Sequence, residues 1–253
     1  MTRWDAHVYD TSLKYVADYG KELVDLLNPQ KGESILDLGC GTGELSREIA
    51  KSGAIITGLD NSESMLEKAK SKNGNIKYLN QDITSFQASE EYDAIFSNAV
   101  LHWITNQDKV LENLCKALKP NGRLVVELGA KDNVATIIGS IQELIKEEGY
   151  PIKEVSDIVF FPSIAEYATL LESKGFWIES ISQFKRPTLI LDGVQGFINW
   201  INVFGIILFE NVPKDIKPKL IEKAANSMAR KLEKDERYFA DYVRLRVVAR
   251  KSN

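Results

Sequence analysis

Two rhythms of apolar and polar residues alternate along the first half of this chain. Short runs at 34–38, 54–59, 76–79, 92–97 and 123–128, rich in β-branched residues, have the pattern of strands buried on both faces. Between them, 44–52, 62–72 and 108–118 space their apolar residues as one face of a helix does. The last of these ends at Lys119-Pro120-Asn121-Gly122, a helix stop followed by a turn. Strand and helix in this alternation predict a parallel sheet covered on both faces and wound in the Rossmann manner.

The second half is less regular. Residues 133–148 predict a long helix closed by Gly149-Tyr150-Pro151. Residues 163–174 predict another, opened by Ser163 with Glu166 at capping-box spacing and closed before Gly175. Two strands follow, at 175–186 and 239–250, with helical stretches at 194–209 and 214–234 inserted between them. The expected fold is α/β: a Rossmann-like, doubly wound, mostly parallel seven-stranded sheet whose last strand is antiparallel, with helices on both faces and a C-terminal helical insertion. We expect a single domain over 1–253, with an N-terminal cap helix within 1–30 and the insertion, 187–235, lying as a lid over the site.

Composition narrows the class. With 253 residues, 44% of them hydrophobic and 27% charged, the chain can bury one sizeable core. The opening Met1-Thr2-Arg3-Trp4-Asp5 lacks the apolar core of a signal peptide, and the most apolar run, 197–209, is too short to span a bilayer. A cytoplasmic protein with no membrane partner is expected. Cys40 and Cys115, with His7 and His102, have neither disulfide nor metal-ligand spacing, so no metal is expected. A net charge of −4 gives no general attraction to nucleic acid. Residues 213–251 carry twelve Lys and Arg against six Asp and Glu, but acids interleave with the bases as on a solvated helix face.

The chemistry starts at "ILDLGCGTGEL", where Gly39, Gly41 and Gly43 crowd the turn after the first strand. Such a turn places unpaired backbone N–H groups and a helix N-terminus where a ligand can lie against the main chain. The dinucleotide fingerprint wants its third glycine one residue later, where Glu44 stands, and an acid there repels a pyrophosphate. Asp60, ending the second strand, is placed to accept both hydroxyls of a ribose. Asp82 in "LNQDI" suits an exocyclic amine, and the Asn98 amide can both donate and accept. Ribose, adenine and a zwitterionic tail without phosphates account for all three. Each acid is alternatively a helix or turn cap.

In order and spacing, "LDLGCGTG", "GLDNSESMLEKA", "LNQDI", "YDAIFSNAVLHW" and "LKPNGRLVVEL" resemble the class I S-adenosylmethionine-dependent methyltransferases over residues 34–128. More loosely, "WDAHVYD", the "HW" after the fourth strand and "RLRVVARK" are similar to the trans-aconitate methyltransferase-like branch. The resemblance implies S-adenosylmethionine as cofactor, with S-adenosylhomocysteine as product. It implies that Asp37, Gly39, Cys40, Gly41, Thr42 and Gly43 hold the methionine part. Asp60 would bind the ribose, Asn61 and Met65 would flank the adenosine, and Asp82 would meet the adenine amine with Ile83 against the ring. Asn98 and the N-terminal Tyr9 and Tyr19 complete the expected cofactor set; the aromatic residues Trp4, Tyr9, Tyr15 and Tyr19 either form a lid helix or pack on the sheet.

The implied reaction is in-line transfer of an activated methyl group to a small molecule, most simply to an oxygen, a carboxylate included. Alignment and water exclusion supply much of the acceleration, and a base is needed only for a weakly acidic acceptor. A non-catalytic module sensing S-adenosylmethionine is the alternative. His102 is a catalyst or a packed histidine, and Trp4, His102, Trp103, Trp200 and Phe204 are the candidate acceptor contacts. Residues 187–212 contain no Lys, Arg or His, whereas a tricarboxylate calls for cationic forks, so a less anionic, partly apolar acceptor is expected. After the fourth strand, "SNAV" lacks the Asn/Asp-Pro-Pro-aromatic signature of nucleic-acid amino-methylation, and the chain has no Pro-Cys pair, which disfavours DNA as acceptor.

Overall fold

The computed structural model describes residues 14–252 apart from 73 and 89–90, with side chains from Tyr19 onward. Trp4, His7 and Tyr9, and the Tyr15 side chain, therefore lie outside what is described. Helix α1 (Lys14–Leu27) precedes an alternating series: β1 (Ser34–Leu38), α2 (Glu44–Ala50), β2 (Ile55–Asp60), α3 (Glu63–Ser71), β3 (Lys77–Asn80), β4 (Tyr92–Asn98), α4 (Gln107–Ala117) and β5 (Leu118–Gly129). Then come α5 (Ala135–Glu147), α6 (Ile164–Ser173), β6 (Phe176–Ile190), α7 (Gly193–Trp200), α8 (Lys217–Leu232), β7 (Glu233–Lys234) and β8 (Arg237–Lys251). The sheet order is β3-β2-β1-β4-β5-β8-β6, with the two-residue β7 pairing on β8. β1 to β5 pair in parallel, and β8, antiparallel to both neighbours, lies between β5 and β6.

Both faces of the sheet are buried, as its continuous apolar runs require. Alternation sends Leu36, Leu38, Ile95, Leu124 and Val126 into a core with α4 and α6, while Ile35, Phe96 and Val125 meet Leu23 and Leu27 of α1. A third core joins α5 to the insertion through Ile141, Phe197, Phe209 and Met228. The expected Ser163 cap is present, its hydroxyl accepting from the Glu166 N–H while the Glu166 carboxylate accepts from the Ser163 N–H.

Two boundaries differ from expectation. Lys119-Pro120-Asn121-Gly122 is not a free turn before β5 but a bulge within it, since Tyr92 pairs Leu118 and Ala94 already pairs Arg123. Asn121, at φ +61, absorbs the curvature. β6 runs on to Ile190, through Pro187, which pairs Asp241; an edge strand tolerates the missing N–H there. The helical part of the insertion consequently starts at Gly193. Its first helix changes winding after Trp200, passing through a π turn (Ile201–Gly205) and a 3-10 turn (Ile206–Phe209), and a π turn inside a helix re-aims side chains.

Candidate active site

A cavity of about 610 Å³ opens at the carboxyl ends of β1, β2 and β4, where a doubly wound sheet binds ligands. One wall holds Gly39, Gly41, Asp60, Met65, Asp82 and Asn98; Asn61 and Ile83 also border it. His102 and Trp103 after β4, Phe161, Trp200 and Phe204 of the insertion, and Arg244 of β8 border the same cavity.

The three glycines of the turn serve different ends. At Gly39, φ is +72 and a Cβ would stand 2.3 Å from the Val100 side chain. At Gly43 a Cβ would meet the Tyr78 hydroxyl at 2.4 Å. Only at Gly41 would it enter open space, so the protein's own packing, not a ligand, excludes side chains at the other two. The expectation of unpaired loop N–H groups is also corrected. Those of Gly39 and Cys40 donate to Leu59 O, Gly43 to Cys40 O, and Gly41 to Asp60 Oδ2 at 2.9 Å. With these four donors turned on the protein itself, and with carboxylates at the cavity, the turn suits a cationic, phosphate-free nucleoside better than a pyrophosphate.

Asp60 is both cap and cavity residue. Its Oδ1 accepts from the Ser62 N–H at 2.8 Å while Ser62 caps α3, yet each oxygen keeps a second lone pair for a hydroxyl. Burial raises its pKa from the ordinary carboxylate value, making it a weaker acid. Asp82 uses Oδ1 for the Thr84 N–H (2.7 Å) and hydroxyl (2.5 Å), and Oδ2 has no partner among the described residues. Asn98, at the tip of β4, lies so close to α1 that a Cβ on Gly20 would be 2.9 Å from its Nδ2.

Asp37, Cys40, Thr42 and Gly43 do not border the cavity. Asp37 is buried beneath the turn, accepts the Ser46 hydroxyl at 2.5 Å, and is pushed by desolvation to about 7. Burial, helped by Asp37 and Asp60, drives the Cys40 thiol far upward, which leaves it a filler without nucleophilic character. Thr42 is buried, and its carbonyl accepts from Arg47 Nη1 at 3.1 Å. Tyr19 also lies off the cavity, under the Arg186 guanidinium at 4.6 Å, where Arg186 and Arg246 clasp the buried Glu127 and reach Glu22 of α1.

Beside the cavity, the Trp103 and Phe204 rings stack at 6.1 Å and Trp200 leans on Phe204 at 5.4 Å. The Trp200 indole N–H donates to the Tyr242 hydroxyl at 2.7 Å, which fixes the shelf on β8. The π turn of the insertion is what presents Phe204 to the cavity. His102 is buried in a 3-10 turn (Leu101–Trp103), and its Nδ1 accepts the Gly129 N–H at 3.1 Å. Desolvation, then the Arg244 charge, holds the imidazole well below its ordinary value, so the ring is neutral with its proton on Nε2. That form donates, which does not suit the base expected of a catalytic histidine.

Arg244 is the residue that sequence reasoning passed over. It is 8% exposed, lies over the Tyr242 ring at 4.4 Å and pairs across the sheet with Gly129. The insertion supplies no cation, as expected, but β8 does. The available signal was "DYVRLRVVAR": a charge inside a buried strand demands a purpose. Lys153 also borders the cavity, ion-paired with Glu210. Ala99 (φ +58) and the β-branched Val134 (φ +50) line it in the left-handed region, and such strain collects at functional sites. Among the described residues no group of three or more His, Cys, Asp or Glu could hold a metal ion, and no helix is long and apolar enough to cross a membrane.

A mostly parallel sheet of this order, with a glycine turn after β1 and acids at the cavity beyond β2 and β3, is the arrangement of a methyl-transferring class. Residues 29–175 match the family described as a methyltransferase domain. An uncharacterized methyltransferase, C70.08c, of Schizosaccharomyces pombe is 31% identical over 98% of each chain. A trans-aconitate 2-methyltransferase of Deinococcus radiodurans is 30% identical over 71% of this chain and 72% of its own. The crystal structure of the YcgJ protein from Bacillus subtilis superposes with a TM-score of 0.64 at 15% identity, over 92% of this chain and 97% of that one, a likeness of fold. The chain belongs to the class I S-adenosylmethionine-dependent methyltransferases, within their trans-aconitate methyltransferase-like branch. It is an enzyme whose methyl donor is S-adenosylmethionine.

Proposed function

We propose that the enzyme esterifies a small carboxylic acid whose body is largely apolar, with the cavity between the glycine turn and the insertion holding donor and acceptor together. The single observation that carries this reading is the buried Arg244 at the cavity, its guanidinium over the Tyr242 ring whose hydroxyl holds Trp200 of the aromatic shelf. A guanidinium offers five donors in a planar fork and can grip a carboxylate beside its other contacts. S-adenosylmethionine, when bound, supplies a methyl group on a sulfonium, so that an ionised carboxylate oxygen takes it without losing a proton: the O–C bond forms as the S–C bond breaks, and the two charges cancel.

The chain's own residues then bind and exclude water. Asp60 and Asp82 would hold the ribose and adenine, with Asn61, Met65 and Ile83 about them and the Asn98 amide toward the amino-acid tail. The insertion would close over the acceptor as a lid, its Trp200 and Phe204 replacing water along the apolar body. Relatives named for trans-aconitate and for malonyl-[acyl-carrier protein] support an acid as acceptor. A tricarboxylate suits this cavity poorly, because Glu210 already offsets Lys153 and Asp157 adds a further negative charge to the lining.

The test is turnover of matched acids, aryl- and alkyl-monocarboxylates against di- and tricarboxylates, with methyl esters read by mass spectrometry. The apolar monoacids are expected to show kcat/KM higher by about tenfold or more, the scale of one or two buried methylenes. Failure to form any ester would refute the reading.

A further inference from the structure

Three buried groups meet at one point of the cavity wall. Gly129, the last residue of β5, gives its N–H to His102 Nδ1 at 3.1 Å, and in the sheet register the same residue stands opposite Arg244. His102 and Arg244 both border the cavity, and the Arg244 charge is felt at the imidazole. The histidine turn itself is held from below: Gln107 Nε2 donates to Leu101 O (2.7 Å) and Ile104 O (2.5 Å), and His102 O accepts the Phe160 N–H at 2.8 Å. The ring cannot rotate to present its other nitrogen without leaving the Gly129 N–H buried and unpaired, a cost of about 1–3 kcal/mol.

We infer that His102 is a fixed hydrogen-bond donor to the acceptor: with Nδ1 seated on the Gly129 N–H, Nε2 carries the ring's proton and forms, beside Arg244, the second arm of a clamp on the acceptor's carboxylate. This rests on the carboxylate reading above and adds to it a reason for selectivity. Two donors favour an acceptor that arrives already ionised. An alcohol, which must lose a proton, finds no base in His102. Of the ionisable groups that border the same cavity, Arg244 and Tyr242 on β8, Lys153 and Asp157 on the segment after α5, and Asp60 and Asp82, the charge that acts on the imidazole is the Arg244 cation, which further disfavours an imidazolium.

The first measurement is the histidine ring 15N spectrum of the whole protein from pH 5 to 8, with His102→Gln to assign the signals. The Nε2–H tautomer, unchanged across that range, is the expected result; an Nδ1–H ring or a titration near 6.5 would overturn the clamp. The second is kcat/KM against pH for two esterified acids of different acidity. The acid limb should move with the acceptor's own pKa, and a limb common to both acids would assign the control to an enzyme group instead. The third compares variants. Gln carries a donor at the Nε2 position, so His102→Gln should keep kcat/KM within about tenfold, while His102→Leu should lose about ten- to hundredfold through KM, the range of a lost hydrogen bond to a charged group. Equal loss in both through kcat, with S-adenosylhomocysteine binding intact, would contradict the assignment. Should the tautomer be as expected while only alcohols or amines are methylated, it is the carboxylate reading that has failed, and the clamp falls with it.

Discussion

The proposed donor wall and the proposed acceptor wall of one cavity are built in opposite ways. Gly39, Gly41, Asp60, Asp82 and Asn98 follow the ends of β1 to β4 in chain order, and much of their polar capacity is turned on the backbone around them. The acceptor wall draws His102, Phe161, Phe204 and Arg244 from a 3-10 turn, a loop, a π turn and an antiparallel strand. The first is assembled within the N-terminal hundred residues, Val100 and Tyr78 included, while the second exists only once the C-terminal half has folded back. The first can be copied among enzymes with many substrates, and the second is where one substrate is chosen.

The largest effect that would test this contrast lies in the glycine turn. Gly39→Ala combines a left-handed backbone with a Cβ driven into Val100, and should cost about 3 kcal/mol or more of stability, a melting temperature lower by roughly 10 °C in calorimetry. Gly41→Ala meets no atom, so its cost should stay near the roughly 1 kcal/mol of the backbone term while S-adenosylhomocysteine binding weakens. Equal losses of stability in the two would mean that neither position faces the ligand.

Next come the two walls taken singly. Asp60→Ala removes the partner of two backbone N–H groups and of the proposed ribose, and should weaken S-adenosylhomocysteine by about ten- to hundredfold in calorimetric titration. Arg244→Gln should raise the acceptor KM by about tenfold or more and leave S-adenosylhomocysteine affinity unchanged. If Arg244→Gln weakened both ligands alike, the division of the cavity into two walls would be wrong.

That division also explains what was legible in the sequence. The strands, the Ser163 cap and the order of glycines and acids were readable because each depends on neighbours a few residues away. What the glycines were for was not, since Val100 and Tyr78 reach Gly39 and Gly43 only in three dimensions. Arg244 lies outside residues 187–212, and no local pattern announces that β8 runs antiparallel beside β5 and delivers its own cation to the same edge. The tautomer of His102 depends on one N–H, that of Gly129, which no pattern of side chains announces.

The smallest expected effect is a dependence on pH whose sign differs between the walls. Asp37, under the donor wall, is raised by burial from 3.8 to about 7, so the folded state binds a proton more tightly than the unfolded chain does. Its contribution is fully present below about 4 and is lost as pH rises through 7. His102, on the acceptor wall, is lowered well below 6.5, so it is the unfolded chain that binds the proton more tightly. Its contribution is present above 6.5 and fades as pH falls below that value. Between pH 5 and 6.5 the two slopes oppose, and the unfolding free energy of the wild type should change by less than the roughly 1.4 kcal/mol per pH unit that one such group alone would give. Asp37→Asn keeps an acceptor for the Ser46 hydroxyl but removes the first term, so its stability should fall more steeply on acidification than the wild type's. His102→Gln removes the second, so its stability should instead decline as pH rises. Urea unfolding of the three proteins at pH 5, 6 and 7 separates these slopes; parallel curves would show that neither buried group titrates differently in the folded chain, and with that the neutral imidazole would lose its physical basis.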